Sequence, residues 1–413
     1  MRKLNVWLSL TAQTAIHAGE LIAADPDPQR GGAIHGQFRY SREYLNWDEA
    51  FALDPIHLPL SAKVYDANRP HSGIHAVFED SLPDDWGRRI LARKHHLPRD
   101  QQRPAQLLGY LAGDGMGALS YSEGDIPPPR QAPLGSHHLV ELQAQAAQFE
   151  EDPATVDAGL ALLFQAGSSA GGARPKVLIE DNDRAWLAKF ASSRDQFDVV
   201  ALEAAAMELA GRAGVDPAGS RSLPCAGKKV LLVERFDLIP QSQERRHVIS
   251  MKALLGAEGY YSLSYRHMAD VLRRVSSAPG EDLPRLFRQL VFNALIGNTD
   301  DHLQNFAMVS DGRSWRLSPA FDLLPNVGQN SEQILAIDNR FVAPDRPALL
   351  HEAKSFGLKQ RQKAEVIIDE VWAQLQAWEE VFATCAVPPK DKEIIGRDIT
   401  SRLRRGGAGK IAR

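Results

Sequence analysis

The sequence predicts an α+β chain: a small mixed α/β lobe, then a mainly helical lobe, with a β-rich subdomain ahead of both. Short apolar runs with alternating character crowd the chain ahead of residue 237, whereas helical periodicity dominates from Tyr265 onward. A polar, Pro-rich stretch over 124–138, holding Pro127, Pro128 and Pro129, marks a linker between the first subdomain and the rest. A length of 413 residues also exceeds what one hydrophobic core normally supports.

Residues 4–10 alternate and residues 36–40 follow a Gly-Gly turn signal, so both read as strands, and 76–91 turns helical. These elements make a first unit over 1–125. A second unit, 139–237, opens its sheet with apolar runs at 177–179 and 185–190 joined by Glu180-Asp181-Asn182-Asp183, a hairpin composition. An alanine-rich helix over 201–209 stops near Gly211 and Gly214, and 228–234 supplies another strand. The third unit, 238–413, carries helical patterns over 283–296 and 361–382, and no internal repeat is visible.

Composition narrows the class. Hydrophobic residues at 44% with 24% charged exclude long disorder, and a net charge of -4 supplies no global field to hold nucleic acid. The basic tail, with Arg402, Arg404, Arg405, Lys410 and Arg413 among glycines, reads as a solvated terminus. Cys225 and Cys385 lie too far apart in sequence for a disulfide framework or zinc spacing, which fits a reducing cytoplasm. No apolar stretch is long enough to span a membrane, and the start MRKLNVWLSL turns polar, so neither insertion nor secretion is expected.

Phosphoryl transfer needs a loop over the phosphates, a cation on them, a base for the nucleophile and magnesium ligands. Each has a candidate in chain order. The loop is Gly167-Ser168-Ser169-Ala170-Gly171-Gly172-Ala173-Arg174-Pro175-Lys176, whose small residues allow close backbone approach but which lacks a Walker ending. Lys189 lies in the following strand as the phosphate lysine, with Glu203 on the next helix as its partner and Glu208 as the competitor. In Asn298-Thr299-Asp300-Asp301-His302-Leu303-Gln304-Asn305-Phe306, Asp300 and Asn305 stand five apart, the spacing of base and metal-binding Asn in H-R-D-x-x-x-x-N, with Asp301 as second candidate base. Asp322, after Phe321, takes the place of the magnesium aspartate of D-F-G, so that Asp322 and Asn305 offer a hard cation a carboxylate and an amide oxygen.

These residues resemble the HipA toxins of bacterial toxin–antitoxin systems over nearly the whole chain. The family pattern N-T-D-x-H-x-x-N-F appears at 298–306, its phosphate loop at 169–176, and its V-E-R-F-D hinge as Val233-Glu234-Arg235-Phe236-Asp237. Phe78-Glu79-Asp80-Ser81-Leu82-Pro83-Asp84-Asp85-Trp86-Gly87 and Leu111-Ala112-Gly113-Asp114-Gly115-Met116-Gly117-Ala118-Leu119 look like two signatures of its N-terminal domain, with no chemistry apparent from the residues alone. The resemblance implies a two-lobed protein-kinase-like fold, ATP and Mg²⁺ as cofactors, and serine/threonine kinase activity toward a bacterial protein such as an aminoacyl-tRNA synthetase. It further implies that Glu234 and Phe236 meet adenine through backbone groups, that Asp237 lies near the ribose, and that His302 shapes the phosphate site. Autophosphorylation at Ser169, or else Ser168, would eject the loop. A HipB-like antitoxin would carry most contact with operator DNA. The loop departs from better-known members in reading Gly-Gly-Ala-Arg-Pro-Lys, which puts Arg174 beside the phosphates. Two other readings stay open: a small-molecule kinase of aminoglycoside type, which wants His where Asn298 stands, and a catalytically silent co-repressor subunit.

Overall fold

The computed structural model describes residues 1–11, 14–67, 69, 71–153, 158–167, 174–242, 244–258, 263–326 and 331–407. The first sheet is antiparallel, with strands in the order Tyr65–Ala67, Gly36–Tyr40, Ile16–Ala23, Arg2–Leu8 and Leu119–Ser122. Its inner face buries Leu4, Val6, Leu21 and Phe38. The expected helix over 76–91 is two, Ala76–Glu79 and Asp85–Lys94, because Pro83 cannot continue a helical hydrogen-bond ladder.

A second sheet has the order Leu134–Gly135, Lys176–Asp181, Arg184–Lys189, Lys228–Glu234 and Ser220–Cys225. The hairpin turn forms because Asn182 and Asp183 both adopt positive φ, 51° and 56°, which short polar side chains tolerate and which suits a right-twisted hairpin. The linker expected over 124–138 ends early: Leu134 and Gly135 pair in parallel with Ile179 and Glu180. Helix Val199–Arg212 covers this sheet, capped by Asp198, whose Oδ1 accepts the Ala201 N–H at 3.0 Å.

The remaining chain is mainly helical around the long helix Pro279–Ile296, with a small sheet of His247–Ser250, Ala307–Ser310 and Trp315–Leu317 at its edge. A single helix over 361–382 is not found; Arg361–Leu375 and Trp378–Thr384 are separate. No Pro or Gly marks the break, beyond which Trp378 lies against Gly396 so closely that a Cβ there would sit 2.1 Å from the ring. The basic tail is corrected in part: helix Pro389–Gly407 buries Arg402 at 2% exposure but leaves Arg404 and Arg405 exposed, while Lys410 and Arg413 lie outside the described residues. One continuous core joins the first sheet to the helical lobe, and a second lies between the second sheet and its helices. No helix among the described residues is long and apolar enough to cross a membrane.

Candidate active site

A cleft between the second sheet and the helical lobe brings together Lys176, Lys189, Glu234, Arg235, Phe236, Asn305, Phe321 and Asp322. Strand alternation turns the Lys189 side chain inward, where its Nζ lies 2.5 Å from Glu203 Oε1 and 2.6 Å from Asp322 Oδ1. Glu203 is therefore the partner; Glu208 pairs with Arg212 on the outer face of the same helix. Burial opposes charge on Lys189, but the Asp322 and Glu203 carboxylates outweigh it and hold the ammonium well above its usual range. Lys189 in turn holds the Asp322 carboxyl well below its usual range, against burial and with help from Lys176. Asp322 adopts a left-handed backbone at φ 55°, a strain that recurs at functional sites. Lys176 is pushed down to about 8, first by burial and then by Lys189.

Across the cleft, Asn305 donates Nδ2 to the Asp300 carbonyl at 3.0 Å, leaving Oδ1 as the atom able to ligate a cation. The donor set fits magnesium: an ionised carboxylate on Asp322 and an amide oxygen on Asn305, both facing the cleft. Asp300 itself is open to solvent at 74% side-chain exposure, with His302 Nε2 4.0 Å from its Oδ1. Its neighbour Asp301 is fully buried and accepts from the Tyr265 hydroxyl at 2.8 Å, Gln333 Nε2 at 3.0 Å, and the amides of Ile334 and Leu335 at 2.9 and 3.3 Å. Burial pushes the Asp301 carboxyl up to about 6, against those four donors. Such a residue has no free path to a substrate hydroxyl, which removes it as a candidate base.

Two expectations are corrected. Asp237 is fully buried away from the cleft, its oxygens 2.5 Å from Arg235 Nε and Nη2, and Oδ2 also accepts the Gly117 N–H at 2.8 Å. Its carboxylate is taken up by these donors and does not line the cleft, although Arg235 does. Arg174 turns to Asp195 at 2.9 Å, and neither it nor Pro175, whose carbonyl accepts the Phe190 N–H, lines the cleft. Ser168, Ser169, Gly171, Gly172 and Ala173 lie outside the described residues.

Several cleft residues escaped the sequence reading. Glu79, Asp80 and Asp84 come from the first N-terminal signature, Arg88 directly follows it, and Met116 comes from the second. Met116, Phe236 and Phe321 pack on one cluster of Val248, Ala307 and Val309, with the two ring centroids 5.4 Å apart, making an apolar patch suited to a planar base. Asp80 accepts from Ser250 N at 2.6 Å and Ser250 Oγ at 2.8 Å, tying the N-terminal unit to the strand that pairs with 307–310. The two signatures were visible as motifs, but their contacts bridge sequence separations that no local pattern encodes.

A small mixed lobe and a helical lobe around a charged cleft define a two-lobed kinase-like fold. Residues 168–378 match the HipA-like C-terminal domain and residues 15–122 the HipA N-terminal domain, so the chain belongs to the HipA family. Two proteins of Sinorhizobium fredii (strain NBRC 101917 / NGR234) are similar to it. "Putative kinase Y4mE" is 27% identical over 72% of this chain and 76% of its own length, and "Putative kinase Y4dM" 27% identical over 75% and 76%. The fold is similar to that of HipA from Shewanella oneidensis MR-1, solved as a toxin–antitoxin complex of HipA, HipB and operator DNA. The TM-score is 0.69 at 18% identity, covering 98% of this chain and 97% of that one.

Proposed function

We propose that this chain is an ATP-dependent serine/threonine protein kinase and the toxin of a toxin–antitoxin pair. The observation that carries the reading is the ion-paired trio of Lys189, Glu203 and Asp322, of which Lys189 and Asp322 line one cleft together with Asn305. In this reading the patch of Met116, Phe236 and Phe321 receives adenine, and backbone groups of Glu234 and Phe236 meet its edge. Lys176 and Lys189 compensate the phosphate charge, with His302 beside them. Asp300, out at the mouth, accepts the proton of an incoming serine or threonine hydroxyl as its oxygen attacks the γ-phosphorus and ADP leaves. Magnesium, held by Asp322 and Asn305, supplies neutralisation of charge on the phosphate oxygens.

The Shewanella complex supports a HipB-like antitoxin as partner and operator DNA as a target reached mainly through it. An aminoacyl-tRNA synthetase is the proposed class of acceptor, and the loop serine, Ser169 or else Ser168, the proposed site of self-modification. The test is incubation of purified protein with labelled ATP, magnesium and a cell lysate, with Asp300→Asn alongside. A labelled acceptor in the wild-type lane alone is expected. Equal labelling in both lanes would remove Asp300 as base, and no labelling in either would favour the silent co-repressor.

A further inference from the structure

The C-terminal helix reaches the catalytic loop through one side chain. Arg402 is buried, and its guanidinium is spent on four acceptors: Asp398 Oδ2 from Nε at 2.6 Å, the Ala294 carbonyl and Gln333 Oε1 from Nη1, each at 3.2 Å, and the Ser331 carbonyl from Nη2 at 3.0 Å. Ala294 lies in the last turn of helix Pro279–Ile296, where carbonyls lack intrahelical partners, and that helix leads directly into 298–305. Gln333, also buried, passes the connection on: its Nε2 donates to the Asn298 carbonyl and to Asp301 Oδ2, each at 3.0 Å. Asp301 is joined by backbone to Asp300 and holds the amides of Ile334 and Leu335.

Gly297 makes room for this arrangement. A Cβ there would lie 2.7 Å from Asp398 Oδ2 and 3.1 Å from Arg402 Nε, and the left-handed backbone at φ 81° also favours glycine. An ion pair one turn along a helix needs no burial, and Asp398 remains 40% exposed. Three of the four bonds go instead to elements flanking the loop, in a planar fork that a lysine ammonium cannot span. Neither Arg402, Gln333 nor Asp301 lines the cleft.

We propose that Arg402 is a positioning residue for phosphoryl transfer: it locks the catalytic loop and segment 331–335 into one arrangement, setting turnover without touching the nucleotide. The inference rests on the kinase reading above. It is tested on the full chain with wild type, Arg402→Lys and Gln333→Met, well below their melting temperatures. Mg-ATP affinity is read by calorimetry, transfer to the acceptor band from the lysate assay by single turnover, and amide hydrogen exchange over 298–301 and 331–335 in parallel. Expected are Mg-ATP affinities within about twofold of wild type, a transfer rate lower by roughly tenfold or more in both variants, and faster exchange in both segments. Gln333→Met cuts the links to Asp301, to the Asn298 carbonyl and to Arg402 while leaving Arg402 its other three acceptors, so it stands if Arg402→Lys fails to fold. An active wild type with both variants transferring at its rate overturns the positioning role, as does a lowered melting point with unchanged turnover and exchange. A wild type that binds Mg-ATP and transfers nothing overturns the kinase reading itself, and the role of Arg402 with it.

Discussion

The two walls of the cleft are built by opposite means. On the sheet side, buried Lys189 and Glu203 are paired directly, and Lys189 also reaches Asp322 of the helical lobe, whose side chain is 44% exposed. On the loop side, Asp300 stands in water while its neighbour Asp301 is fixed from beneath by four hydrogen bonds. Lys189 takes Asp322 Oδ1, so a metal at Asp322 would share the carboxylate with the ammonium through Oδ2. The loop side is already set and needs only an acceptor.

The largest expected effect comes at the exposed aspartate. Asp300→Asn should lower transfer by about 10²- to 10⁴-fold while leaving the melting temperature and Mg-ATP affinity near wild type, as single-turnover rates, calorimetry and thermal melts would read. Lys189→Met should do the reverse in character. It strands the buried Glu203 carboxylate and leaves the half-exposed Asp322 to solvent, for a loss of about 3 kcal/mol of stability by denaturant titration together with weak nucleotide binding. Were Lys189→Met as stable as wild type, the trio would not be the rigid charged unit described.

Asp301→Asn sharpens the contrast between neighbours. The amide keeps one oxygen for the Ile334 and Leu335 amides but turns a donor toward Gln333 Nε2 and the Tyr265 hydroxyl, a cost of about 1–3 kcal/mol in the same titration. A stability equal to that of Asp300→Asn would erase the distinction. The smallest effect is one of pH. Lys176 loses its proton near pH 8 in the free protein. Bound phosphates raise its pKa, so the complex holds more protons than the free chain and affinity falls as pH rises above about 8. Calorimetry at pH 7 and pH 9 should show Mg-ATP binding weaker at the higher pH by up to roughly tenfold, and Lys176→Arg should flatten the dependence.

Much of this was legible because it is local. The turn at Asn182 and Asp183, the strand Lys228–Glu234 and the spacing of Asp300 to Asn305 are read from a few consecutive residues, and chain order alone suggested that Lys189, Glu203 and Asp322 share a cleft. What escaped depends on distant partners. Asp237 sits beside the hinge in sequence, yet a guanidinium two residues back and an amide 120 residues away turn its carboxylate inward. Arg402, in a glycine-flanked basic run, looks solvated until the helix end 108 residues earlier supplies its acceptor. Asp80 meets Ser250 across 170 residues, so its signature was recognisable as a pattern and silent as chemistry.

The grip of Asp237 on Gly117 bears on how the lobes can move. In two-lobed enzymes the lobes rock about the hinge to admit and release ligand. Here the hinge residue Asp237 binds the Gly117 amide, and Arg245 donates to the Gly115 and Gly117 carbonyls at 3.2 and 3.1 Å. The N-terminal unit is thus splinted across the joint, and any rocking must drag strand Leu119–Ser122 and the sheet behind it. The same unit also closes one side of the cleft, where Arg69 and Glu79 pair at 2.7 Å, so the splinted N-terminal unit is part of the cleft's own wall.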